Sequence, residues 1–180
     1  IKRIKNGDTQ AWEELYKKTY PRAYAVAVQT MKNREDALDV LQEAYVSVFK
    51  NIDSLQDESK LNAWVSKIVG NRCIDYLRKH RGKNEPTLFG EMISDDSDVE
   101  FEDILENDNQ EFIPEESVDY DETKKIMQGI LDQLPDEQRL CVLMYYYDEL
   151  SVKEIAETLG CSTGTVKSRL NYARKYIKKE

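Results

Sequence analysis

"SVKEIAETLGCSTGTVKSRLNYARKYIKKE", residues 151–180, is the stretch that decides the fold. Ser151 and Glu154 have the Ser-x-x-Glu spacing of a capping box, and Leu150 and Ile155 can close a hydrophobic staple around it. That pattern predicts a helix from Val152 through Ile155, Ala156 and Leu159, stopping at Gly160. A second helix is expected from near Ser162–Gly164. Its apolar residues Val166, Leu170, Ala173 and Ile177 are spaced 4, 3 and 4 and so share one face. Ser168, Asn171, Tyr172 and Lys175 fall opposite, with Lys167 beside them. Two short helices joined at a glycine turn make a helix-turn-helix. A polar, basic second helix of this kind can reach base edges and phosphates. The plainer alternative is a helical hairpin with a solvated basic face. Cap, small Ala156 at the crossing, turn and polar face together favour DNA reading.

Upstream, Met127, Ile130, Leu131 and Leu134 give one apolar face, and Pro135 opens a helix carrying Leu140, Leu143 and Tyr147. The C-terminal module is therefore expected to hold four helices. In the N-terminal part, "NREDALDVLQEAYVSVFKNI" (33–52) is strongly helix-periodic, with an apolar face of Leu38, Leu41, Ala44, Tyr45, Val48, Phe49 and Ile52. Asp39, Gln42, Glu43 and Lys50 form one polar stripe. The pattern by itself reads as a solvated outer face. "SKLNAWVSKIVGNRCIDYLRKHRGK" (59–83) turns Leu61, Trp64, Val65 and Ile68 inward and sets Lys67, Asn71, Arg78 and Arg81 along one side. Asn and Arg on one ridge suit nucleic acid, although a basic helix end also suits the helix dipole.

The 180 residues are 40% hydrophobic and 34% charged, with only 7 Gly and 4 Pro, a composition for an all-α chain. No apolar run reaches membrane-spanning length, and no stretch has a signal-peptide pattern. Cys73, Cys141 and Cys161 are far apart and His80 is the only histidine, so no metal site is expected. The thiols suit a reducing cytoplasm. There is no Gly-rich phosphate loop and no nucleophile–base constellation, so neither an enzyme nor a cofactor is expected.

The net charge of −9 sits oddly with DNA, a polyanion. The charge is segregated. Residues 1–84 hold 16 basic and 11 acidic side chains, and residues 124–180 hold 10 and 8. Residues 85–123 hold 16 acidic and no basic ones. Apolar residues there come in short islands, poorly suited to a core, which reads as an acidic flexible linker between two small helical domains, 1–84 and 124–180. As a random coil it spans ~35 Å, about one turn of DNA. Two mildly basic modules on such a tether suggest contact with DNA at two places.

Taken together, these segments resemble the bacterial sigma-70 family of RNA polymerase sigma factors, specifically the small two-domain extracytoplasmic-function (ECF) group. "GDTQAWEELYKKTYPRAYAVA", "NREDALDVLQEAYVSVFKNIDSL", "AWVSKIVGNRCIDYLRKHR" and "LDQLPDEQRLCVLMYYYDELSVKEIAETLGCSTGTVKSRLNYAR" follow the family's regions 2 and 4 in order and spacing. The resemblance implies that Leu38, Asp39, Gln42 and Glu43 dock on the β′ clamp helices of core RNA polymerase. It implies that the Asp53–Leu61 loop and Asn71 capture a flipped base of the −10 element, with Lys67, Arg78 and Arg81 on nearby backbone. Lys167, Ser168, Asn171, Tyr172 and Lys175 would read the −35 element, with Tyr172 standing where many members carry Arg. The implied partners are core polymerase (β′ clamp helices and β flap), promoter DNA and an anti-sigma factor, and the implied linker path is a basic polymerase channel. Two rival readings are a stand-alone helix-turn-helix regulator, which needs a dimer surface, and an acidic adaptor that binds only proteins.

Overall fold

The computed structural model describes residues 2–80 and 128–177, and every element in them is helical. The linker expected over 85–123, the domain boundaries at 84 and 124, Met127 and Arg81 lie outside the described residues.

A short α1 (Lys2–Lys5) leads into α2 (Thr9–Met31). Asp8 caps α2, accepting from the Gln10 and Ala11 amides at 3.0 and 3.2 Å. α2 ends at Lys32 in the left-handed conformation. α3 (Arg34–Asn51) starts on Asn33, whose side chain accepts from the Glu35 and Asp36 amides, and both of those acids favour the helix N-terminus. Two single turns, Ile52–Ser54 and Glu58–Lys60, shape the loop before α4 (Leu61–His80). Leu55 anchors that loop in the core while its neighbours stay exposed. α2, α3 and α4 pack mutually.

In the second half, helix over 128–133 (α5) precedes α6 (Asp136–Val142). α6 widens into a π-turn at Leu143–Tyr147, where the Asp148 amide reaches the Leu143 carbonyl five residues back. α7 (Val152–Leu159) and α8 (Thr163–Ile177) follow. The capping box forms, and Gly160 ends α7 with φ of +62°. Val166, Leu170 and Ala173 are buried, as their spacing requires. These elements are the expected helix-turn-helix and its supporting helices.

Three expectations change. Leu38 and Phe49 are exposed, Phe49 at 61%. Ala37 and Val40, completely or almost completely buried, take the core side of α3 instead, because small residues let α3 approach its neighbours closely. Tyr147 is also exposed, because the π-turn rotates it out of the face that Leu140 and Leu143 share. Leu61, Trp64 and Ile68 are only half-buried; Val65, Val69, Cys73 and Ile74 form the core of α4.

The two halves are packed on each other, not held apart. α4 meets α2 and α3 on one side and α7 on the other, and α6 lies on α2. One continuous apolar cluster runs from Ile4 to Ala173. Arg139, 1% exposed, sits at the seam. Its guanidinium donates to the carbonyls of Leu131 (2.7 Å), Leu134 (2.6 Å) and Thr30 (2.9 Å) and to Asp136 (3.1 Å). The Thr30 bond caps the end of α2 from the other half of the molecule.

Candidate nucleic-acid and protein interface

Buried Val166, Leu170 and Ala173 hold α8 against its neighbours, and the opposite side carries the polar residues. Asn171, Tyr172 and Lys175 are exposed there, and Lys167 and Ser168 are half-buried at its edge. Ser162 organises the start of α8 by accepting from the Thr165 amide at 3.0 Å. Arg174 Nε donates to the Tyr146 hydroxyl at 2.6 Å, so an exposed tyrosine from the π-turn extends this polar surface. Arg169 pairs with Glu137 on α6 and braces α8. Sequence spacing alone singled out neither Arg174 nor Tyr146, since they meet only through the π-turn.

α3 presents Leu38, Asp39, Gln42 and Glu43 to solvent as one stripe. The exposed Phe49 continues it, its ring tilted 33° against that of Trp12 on α2 with centroids 4.7 Å apart. Apolar side chains left in water beside a polar stripe are the usual anatomy of a protein-binding surface. Periodicity assigned Phe49 to the core because an exposed apolar residue at a core spacing looks no different in sequence.

α4 carries the third group. Asn71 is exposed, and the Asp53–Leu61 loop lies before the helix. Asp57 holds the loop by accepting from the Ser59 amide and hydroxyl at 2.9 and 2.7 Å. Lys67, half-buried, and Arg78, still exposed, each also reach the second half of the molecule. Lys67 Nζ is 2.8 Å from Glu154 Oε1 on α7, and Arg78 Nη2 donates to the Leu159 carbonyl at 2.7 Å. The Lys67 ammonium, with the Ser151 amide, pulls the Glu154 carboxyl down to about 2. Between Lys67 and Arg78 lies Gly70, where a Cβ would come within 2.9 Å of Met144 Cε and 3.3 Å of Thr158 Cγ2. A glycine inside a helix, where no turn needs it, was the available signal of close packing.

A further pair crosses the seam. Arg22 Nε is 3.0 Å from Asp148 Oδ1, whose side chain is 1% exposed. Burial raises the Asp148 carboxyl above its ordinary value, against hydrogen bonds from Arg22 and Ser66. Burial likewise pushes the Cys73 and Cys141 thiols up to about 12, so both stay protonated near neutrality. Among the described residues no helix is long and apolar enough to cross a membrane, and no cluster of His, Cys, Asp and Glu could hold a metal ion.

Comparison with known proteins gives two family matches in one order: "Sigma-70 region 2" over residues 15–83 and "Sigma-70, region 4" over residues 124–177. The chain is 30% identical to the ECF RNA polymerase sigma factor SigW of Bacillus subtilis (strain 168), over 100% of this chain and 94% of that protein. It is also 30% identical to the ECF RNA polymerase sigma factor SigM of the same strain, over 92% of each. Among solved structures, it shares its fold with the sigma factor RpoE of Bartonella quintana, crystallised in complex with the anti-sigma factor NepR. That match has a TM-score of 0.60 at 20% identity and covers 95% of this chain and 96% of that one.

Proposed function

The chain belongs to the sigma-70 family, in its extracytoplasmic-function group, and we propose that three of its surfaces direct core RNA polymerase to promoters and keep them open. The α3 stripe of Leu38, Asp39, Gln42 and Glu43 docks on the β′ clamp helices. Its acids set orientation and association rate more than raw affinity. The α8 face of Lys167, Ser168, Asn171, Tyr172 and Lys175 enters the major groove at the −35 element. Asn71 and the loop before α4 hold one unpaired base of the −10 element, with Lys67, Arg78 and Arg81 on the backbone. The second half also meets the β flap, and an anti-sigma factor competes for these surfaces.

The chain itself makes and breaks no bond in this mechanism. Extruding a base costs a few kcal/mol, offset by contacts formed only in the open promoter. Attachment of both halves to one polymerase raises the effective concentration of each DNA surface for its element. Polymerase binding places the work in the cytoplasm.

One observation carries the reading: a single chain exposes an acidic stripe on α3 and a polar, basic face on the second helix of a helix-turn-helix. Run-off transcription with core polymerase on a promoter library tests it. Start sites at a shared two-element motif are expected, while transcripts independent of added protein would refute it.

A further inference from the structure

We propose that Tyr146, on the π-turn, is a DNA-backbone contact: its hydroxyl, set in place by Arg174, donates to a phosphate at the edge of the −35 element. The inference rests on the reading of α8 as the −35 surface and adds to it a residue from outside that helix.

The contact begins with the break in α6. Over Leu143–Tyr147 the helix widens into a π-turn, an irregularity that helices keep most often at functional sites. It puts three consecutive tyrosines in three different settings. Tyr145 is half-buried and meets the Tyr146 ring edge-on, with centroids 4.9 Å apart and planes at 82°. Tyr147 turns toward the other half of the molecule, where the Arg22 guanidinium lies over its ring at 5.1 Å. Tyr146, 52% exposed, reaches α8 instead.

Arg174 fixes it there. The guanidinium donates from Nε to the Tyr146 hydroxyl at 2.6 Å, and its carbon stands 5.7 Å from the centre of the same ring. Arg174 follows Asn171 by three residues and Lys167 by seven, so it continues their edge of α8 toward the helix end. The tyrosine hydroxyl thus adjoins the face assigned to the major groove. A phenol has one proton to give and lone pairs with which to accept. Here a cation takes the accepting side, which orients the O–H and polarises it into a stronger donor. Tyr146 also stands beside α8 rather than on it. A helix lying in the groove has base edges beneath it and phosphates along its flanks, and tyrosine is among the side chains that bond those phosphates. The ring is braced by Tyr145 and by Arg174, so little further freedom is lost on binding.

Tyr146→Phe removes the hydroxyl and keeps the ring, its packing on Tyr145 and its place beside Arg174. With the full chain on core polymerase, promoter affinity should fall by ~tenfold, the loss expected for one hydrogen bond to a charged group. Arg174→Gln should cost wild type more than it costs Tyr146→Phe, because part of its effect runs through the tyrosine. Equal costs would overturn the coupling between the two residues.

The deciding measurement puts the change in the DNA. Promoters that each carry one methylphosphonate in place of a phosphate around the −35 element are titrated with both proteins. One position is expected at which the neutral linkage weakens wild type ~tenfold and leaves Tyr146→Phe as it was. Equal affinity of the two proteins for the unmodified promoter would overturn the proposal. So would a loss in Tyr146→Phe with every methylphosphonate costing both proteins alike, since the tyrosine would then be a brace for α8 and no contact. The underlying reading has its own check. Base substitutions in the −35 element should cost wild type more than they cost Asn171→Ala. Equal costs there would remove α8 from the −35 element, whatever the methylphosphonates show.

Discussion

At position 139 an arginine sits where its helix faces the core, 1% exposed. Burying a guanidinium is costly unless its donors are taken, and here carbonyls from both halves of the molecule take them. Arg139→Met keeps much of the stem volume but orphans those carbonyls. A loss of about 3 kcal/mol in urea unfolding is expected; a change within experimental error would mean the seam does not depend on this residue. Asn71 is a different case, exposed on the surface of α4. Asn71→Ala should leave stability unchanged and reduce promoter opening, read by permanganate footprinting, with initial promoter binding kept. An equal bubble and equal transcription would remove Asn71 from the base pocket. Neither residue's environment was evident beforehand in the same degree. Asn71 stood out as an amide on a basic ridge, whereas Arg139 looked like one more charge after Pro135. Its acceptors lie on α2 and α5, and local spacing carries no information about those.

Among the elements, α7 and α8 were the most legible, because their signals are local. A capping box, a left-handed glycine and a 4-3-4 apolar spacing each act within a turn or two. The one feature that periodicity misjudged in the second half is the π-turn, which shifts Tyr147 outward by inserting a residue into the helical repeat. α3 was legible in outline but not in its split between core and surface, since Phe49 and Leu38 are as apolar as the residues that pack. Their exposure beside the acidic stripe sharpens the docking prediction. Gln42→Ala with Glu43→Lys should weaken core polymerase binding several-fold at moderate salt while circular dichroism stays native. Unchanged affinity in titration would disqualify this face. α7 carries a pH prediction through Glu154. Its folded carboxyl lies at about 2, below the ordinary 4.5, so ionised Glu154 stabilises the protein above pH 4.5 and that contribution is lost as pH falls toward 2. Glu154→Gln keeps the cap geometry and removes the charge. The wild type should exceed it in stability by no more than about 1 kcal/mol at pH 6, given the partial exposure of the pair, and by nothing near pH 2. A difference independent of pH would assign the effect to capping alone.

For the whole molecule, charge segregation identified two modules, but nothing in the linear pattern showed that they pack together. Lys67, Gly70, Ile74 and Arg78 share a side of α4 that reads equally well as solvated, DNA-facing or buried. The partner that settles it, α7, is far away in the chain, and its contribution at Leu159 is a backbone carbonyl that no side-chain pattern reveals. The wall between Gly70, Ile74, Met144 and Thr158 has a consequence for temperature. Met144 is fully buried and Ile74 nearly so, which means that separating the halves wets apolar carbon. Wetting such surface raises heat capacity, so the free energy of separation is a curved function of temperature with a maximum, not a straight line. Unfolding curves over a wide temperature range should show a lower maximum for Gly70→Leu, whose added side chain meets Met144 and Thr158, than for wild type; coincident curves would mean that the seam is not tight at Gly70. The two halves are therefore held together most tightly at one intermediate temperature and loosen on both cooling and warming, which makes the seam a thermometer.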